Sequence, residues 1–246
     1  MEKLLHELVQ RLRTAAEANL RSVVLYGSAA ANLYQEKHSD LNVLCVVRRL
    51  GSAELDRLAP VVRWWQSKGH PGPMMFTEEE LRRSADVFAI ELLDIQAASR
   101  VLWGENIAAR LEIPMQLHPI NVERELVHCL VRLRQHYLAA RRSPRAVRRL
   151  MLASASTAAV LFRHALLALG QPLPSDRRQA VAGLAALAGF DPKPIDGLLD
   201  LREGRRNERG FDWEAVFAAY LDAIERAAQA VDRRLAEAAA AKPAEG

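Results

Sequence analysis

The chain has 246 residues, half of them apolar, with 34 Lys and Arg against 30 Asp and Glu for a net charge of +4. That length supports a proper core, in one large domain or two modest ones, and excludes disorder as the default state. The basic residues are spread along the chain instead of forming one block, so nucleic acid is not an expected partner.

Met1 to Leu20 carries apolar residues at 4, 5, 8, 12, 15 and 16, a helical rhythm. Its opening MEKLLHELVQRLR alternates charge with apolar residues, and no run of 18 apolar residues follows anywhere, so neither a signal peptide nor a membrane span is expected and the expected location is cytoplasmic. Ser22 to Tyr26 reads as an apolar strand ending at Gly27-Ser28, then a short helix, then a second apolar strand, Leu41 to Val47, entered through Ser39-Asp40. Ser52 is the expected N-cap of a helix with Leu55, Leu58, Val61, Val62 and Trp65 on its inner face, ending near Gly69. His70-Pro71-Gly72-Pro73 is a turn, Pro73 to Phe76 a short third strand, and Thr77 with Glu80 a capping box that starts another helix. From Asp86, DVFAIELLDI reads as a strand running into a helical turn, and Arg100 to Trp103 as a short strand closed by Gly104.

The expected architecture of residues 1–113 is therefore α/β, a small mixed sheet with flanking helices. Beyond Ile113 no strand candidate remains. Val122 to Arg142, Pro144 to Leu169, Ser175 to Ala188, Pro192 to Arg206 and Trp213 to about Ala238 are helical in period, so residues 120–240 should form an all-α helical bundle after a linker at Met115 to Pro119. The Ala-rich tail after Glu237 should fray. Cys45, in a predicted strand, and Cys129, in a predicted helix, fit reduced core thiols.

Two strand ends meet in this scheme. One brings a Gly-Ser turn whose N–H groups and hydroxyl suit a phosphate, and the other brings Asp40 and Asn42, spaced to point at one cation. The apolar strand, Gly27-Ser28, and Asp40 about a dozen residues on resemble the signature of the DNA polymerase beta-like nucleotidyltransferase superfamily. In that signature a second carboxylate stands where this chain has Asn42. The sheet followed by a helical bundle is also similar in layout to aminoglycoside nucleotidyltransferases and to minimal nucleotidyltransferases that pair with helical HEPN partners.

The resemblance implies transfer of an NMP from an NTP to a hydroxyl of an acceptor, small molecule or protein, with Mg²⁺ on the triphosphate. It implies Gly27 and Ser28 as nucleotide-binding residues, Asp40 and a third carboxylate as catalytic residues, and Asp40, Asn42 and that carboxylate as metal ligands. Glu91 is the expected third carboxylate because it stands among strand-like apolar residues, where an unpaired acid is costly. Asp94 is expected to cap the following turn, and an ion pair with Arg82, Arg83 or Arg100 would satisfy either acid. Asn42 coordinates without charge, so the alternative is a catalytically degenerate protein that binds nucleotide or a partner, regulatory or antitoxin-like.

In the bundle, Arg124 with His128 and Arg132 with His136 do not match the wider Arg-to-His spacing of HEPN ribonucleases. Arg141, Arg142, Arg145, Arg148 and Arg149 cluster at the Ser143-Pro144 turn with few aromatic residues nearby to stack bases. Glu123, Glu125 and Asp176 are available as a bundle base, with no spacing to select one. His38 is expected to be a solvent-exposed loop histidine. A homodimer is left open.

Overall fold

The computed structural model describes residues 1–30, 40–207 and 210–241. It divides into two compact units, Met1–Met115 and Gln116–Gly246.

The first unit is built on four strands, β1 (Leu20–Tyr26), β2 (Asn42–Val47), β3 (Met74–Thr77) and β4 (Ser99–Gly104), in the order β3-β2-β1-β4. β1 runs antiparallel to β2 and to β4, and β2 runs parallel to β3. The two central strands, β1 and β2, carry the long apolar runs because helices cover both of their faces. Val23, Leu25, Val43, Cys45 and Val47 pack with Leu5, Leu8 and Leu12 of α1 (Glu2–Ala16) and Leu58 and Trp65 of α2 (Ser52–Ser67). The alternate residues Val24, Leu44 and Val46 pack with Leu81 of α3 (Glu78–Arg83) and Leu92 and Ile95 of α4 (Ala89–Ala97). This period-2 division fixes which residues can meet at the sheet ends.

The local signals are mostly where the sequence puts them. Thr77 accepts from Glu80 N–H while Glu80 accepts from Thr77 N–H, the expected capping box. At α2 the cap lies one residue earlier than expected. Gly51 is the N-cap, its N–H donating to Glu54 at 3.0 Å, and Ser52 is the first helical residue. Leu55 faces outward, 49% exposed, while Leu58, Val61 and Trp65 are buried. The larger correction concerns residues 86–95. Only turns precede a helix there, because Ala89, Ile90, Leu92 and Ile95 bury at helical and not alternating spacing. The helix expected between β1 and β2 lies, beyond Ala30, outside the described residues, as do His38 and Ser39.

The second unit contains α5 (His118–Ala140), α6 (Pro144–Ala168), α7 (Arg177–Ala188), α8 (Lys193–Arg202) and α9 (Trp213–Ala240). Ser143 caps α6 through Ala146 N–H, Asp176 caps α7 and Asp212 caps α9. The turn from α5 to α6 is short, which makes those helices antiparallel neighbours. α6 packs against all four other helices. It alone among the described helices is long and apolar enough to cross a membrane, and half of its apolar window is buried inside the unit, as in a core helix. Cys45 and Cys129 are free thiols that burial pushes up to about 12 and about 11.

Inside this bundle His118 Nε2 and His164 Nδ1 lie 3.0 Å apart, both rings buried. Such a contact needs one nitrogen to donate and the other to accept. Burial, and then the neighbouring His164, push His118 down from 6.5 to about 4. The unfolded chain therefore takes up a proton that the folded chain refuses. The pair's contribution is complete above about pH 6.5 and is lost as pH falls through that value toward 4, by about 3 kcal/mol at the acid limit. Urea midpoints at pH 7 and pH 4.5 should differ accordingly, and His118→Phe should flatten the difference. Equal pH slopes in parent and variant would count against the neutral pair.

Candidate active site

Gly27 follows the last residue of β1 with φ +77°, a left-handed conformation that glycine takes without penalty, and opens a single 3₁₀ turn, Gly27–Ala29. A Cβ there would stand 3.4 Å from Asn42 Nδ2, so the side-chain amide lies directly over the turn. The turn is less open than a free Gly-Ser loop. Gly27 N–H donates to the Ala98 carbonyl at 3.2 Å, and Ala30 N–H donates to the Gly27 carbonyl at 3.0 Å. The other main-chain donors of the turn are the N–H groups of Ser28 and Ala29.

Asn42 is the first residue of β2 and pairs with Tyr26 across the β1–β2 ladder. Asp40 precedes the strand in irregular backbone and is exposed, while Leu41 between them is 1% exposed and belongs to the α1–α2 core. Thus the alternation continues to Leu41, although Asp40 is not itself a strand residue. His70, expected only as part of a turn, is close enough for the Asp40 charge to act on it. Partial burial lowers its basicity and Asp40 works in the opposite sense. Its ring packs against Trp65 at a tilt of 36° with centroids 4.7 Å apart, and Nδ1 is buried without a hydrogen-bond partner among the described residues. No sequence signal marks His70; the chain reversal after α2 brings it there.

The acids of α4 reach the same sheet end. Burial pushes the Tyr26 phenol up to about 12, and the charges of Glu91 and then Asp94 push it the same way. Tyr26 thus reports that both carboxylates, three residues apart on one helix face, lie near the end of β1. Glu91 is on a half-buried helical position, not in an apolar strand, so the burial cost that singled it out does not apply. Asp94 sits inside the helix, and its main-chain carbonyl, accepting from Ala98 N–H, closes α4. Arg100 forks onto Glu2 at 3.0 and 2.9 Å, and Arg82 bonds Glu78 at 3.3 Å.

The donor set is narrow. Asp40 and Asn42 are hard oxygen donors of the kind Mg²⁺ accepts. Among the described residues no group of three or more His, Cys, Asp or Glu is placed to hold a metal. Asp40 and Asn42 fit one hard cation that brings phosphate and water ligands with it.

Another feature of the first unit is distinct from this end. A cleft of about 550 Å³ lined by Arg21, Glu78, Arg82, Glu105 and Arg110 lies at the opposite end of the sheet, roughly 20 Å away by strand length. Ion pairs Arg21–Glu78, Arg82–Glu78 and Arg110–Glu105 occupy its rim. In the second unit, Glu125, His128, Arg132 and His136 line a groove of about 260 Å³ between α5 and α6, and Asp176 is engaged as a helix cap.

No family model matches the chain, and no curated protein matches it in sequence. In three dimensions it is similar to the spectinomycin adenyltransferase AAD(9) from Enterococcus faecialis, solved with ATP and spectinomycin, with a TM-score of 0.59 and 13% identity over 94% of this chain and 99% of that chain. A likeness at that identity speaks to fold: a small mixed four-stranded sheet with flanking helices and a C-terminal helical region, the nucleotidyltransferase-like fold.

Proposed function

We propose that the chain binds an NTP at the Gly27–Ser28 turn and transfers its NMP to a hydroxyl of an acceptor, forming a bond to the α-phosphorus as pyrophosphate leaves. The observation that carries this reading is convergence at one sheet end: a left-handed Gly27 beneath Asn42, with Glu91 and Asp94 acting on Tyr26 beside them. Ser28 and Ala29 N–H groups would hold phosphate oxygens. Asp40, Asn42 and Glu91 would hold Mg²⁺, with Asp94 the alternative on the same helix face. Bound there, the ion would offset charge on the phosphoryl oxygens and the leaving group. Asp40 and Glu91 are the catalytic assignments. ATP and a small-molecule acceptor are the first pair to test, because the similar adenyltransferase was solved with ATP and spectinomycin.

A second reading is favoured by Asn42 and by the missing three-acid cluster among the described residues: a catalytically degenerate protein that binds nucleotide, or a partner, for regulation. Calorimetry with ATP, with and without Mg²⁺ or Mn²⁺, addresses both. Both forms of the reading that involve nucleotide expect metal-dependent binding. No metal-dependent heat at millimolar ATP would sink them together, and binding without pyrophosphate release in the presence of varied acceptors would leave the degenerate form.

A further inference from the structure

α5 exposes a line of apolar side chains that nothing in its own unit covers. Ile120, Val127, Val131 and Leu138 are 49%, 40%, 42% and 76% exposed. At about 100° per residue, steps of seven, four and seven residues return to within roughly 20° of one line, so the four form a straight stripe about 27 Å long. The buried face of the same helix, Val122, Leu126, Leu130 and Leu133, lies well away from it, and none of the four lines the α5–α6 groove.

The order 7, 4, 7 reads the same in both directions, with Cys129 at its midpoint. A stripe with that symmetry fits an antiparallel copy of itself. Turned about a two-fold axis perpendicular to the helix at Cys129, Ile120 falls opposite Leu138 of the second copy and Val127 opposite Val131, large against large and small against small. A two-fold of this kind keeps each flank of the stripe on its own side. On one flank lie Glu123 and Arg134, at nearly equal distances from the midpoint, so Glu123 meets Arg134 of the second copy, twice by symmetry. On the other flank Arg124 meets Gln135. Arg134 already bonds Glu225 at 3.2 Å, and the five N–H donors of its guanidinium leave room for a second carboxylate. The near-heptad spacing suits the shallow crossing of long antiparallel helices.

We propose that the α5 stripe is the interface of a two-fold symmetric homodimer, antiparallel about Cys129. It stands independently of the nucleotidyl-transfer reading. One helix face of this length is smaller than a standard interface, so association should be in the micromolar range.

Sedimentation of the full chain from about 1 to 200 μM should show a monomer–dimer equilibrium across that micromolar range. Val131→Glu should weaken it at least about tenfold while leaving the helical circular dichroism and thermal midpoint in place, since the position is already half in solvent. Glu123→Arg and Arg134→Glu should each weaken it, and the double variant should recover most of the loss. A monomer throughout the range overturns the proposal. So does a dimer that Val131→Glu leaves intact, which would place the contact elsewhere, and so does a double charge reversal as weak as either single one.

Discussion

Gly104→Ala should cost the first unit about 3 kcal/mol or more, the largest loss expected from any single methyl group in the chain. Gly104 ends β4 opposite Ser22 with φ +70°, a backbone conformation that costs an L side chain about 1 kcal/mol. Strain is the smaller part. An added Cβ would overlap the carbonyl oxygen of Arg21 and crowd the Ser22 backbone, neither of which is the free end of a flexible side chain. Either strand must move to relieve it. β1 is central in the sheet, Ser22 is fully buried, and its hydroxyl donates to the Glu105 carbonyl, so movement breaks the β1–β4 ladder at its bulge and that side-chain bond together. For a unit of this size the thermal midpoint should fall by roughly 10 to 20 °C. Val101→Ala, on the same strand but 43% exposed, should shift stability by only about 0.5 kcal/mol. Equal midpoints for the two variants would show that β4 pairs more loosely than its geometry implies.

The contrast between Gly104 and Glu91 shows what was readable in the sequence and what was not. Strands β1 and β2 announce themselves because a sheet covered on both faces needs unbroken apolar runs, and the Gly27-Ser28 turn and Thr77–Glu80 box carry their own backbone chemistry. Gly104 was legible as a strand terminator, yet the closeness of Arg21 comes from the register of β4 on β1, which is set by a bulge between Val23 and Val24. The run around Glu91 is ambiguous for a different reason: a short apolar segment fits a buried strand or a buried helix face equally well until its neighbours are known. Here Phe76 on β3 packs edge-on against Phe88 at 5.3 Å, and α4 then lies across the sheet and brings Glu91 and Asp94 to the end of β1 by helical spacing. His70 was beyond reach altogether, since only the path of the chain after α2 carries it to Asp40.

Asn42→Asp and Asp40→Ala should move nucleotide binding in opposite directions, and the sign of the first should depend on the metal. In the proposed site Asp40 is the charged member of the Asp40–Asn42 pair, so its removal would leave Asn42 and the α4 acids to hold a cation. Losing even an outer partner of a metal site costs about 10- to 100-fold in affinity, so Asp40→Ala should weaken Mg²⁺-dependent ATP binding by at least that much. At Asn42 the change adds a full negative charge beside the turn. If Mg²⁺ binds at the proposed site, the added charge would face the ion; a gross attraction of about 4 kcal/mol at 4 Å, cut by hydration and by repulsion from Asp40, would still leave room for a tenfold gain. Without metal the same carboxylate faces only phosphate oxygens, and binding should weaken. Asn42→Asp should therefore steepen the dependence of ATP binding on Mg²⁺, raise any NMP transfer, and loosen the metal-free complex. A merely structural Asn42, holding its amide over Gly27, makes another forecast: the substitution would lower stability and leave the ratio of affinities with and without Mg²⁺ where it was. Calorimetry of parent and variant at matched ionic strength separates the two, because charge at a cation site changes that ratio and a weakened turn does not.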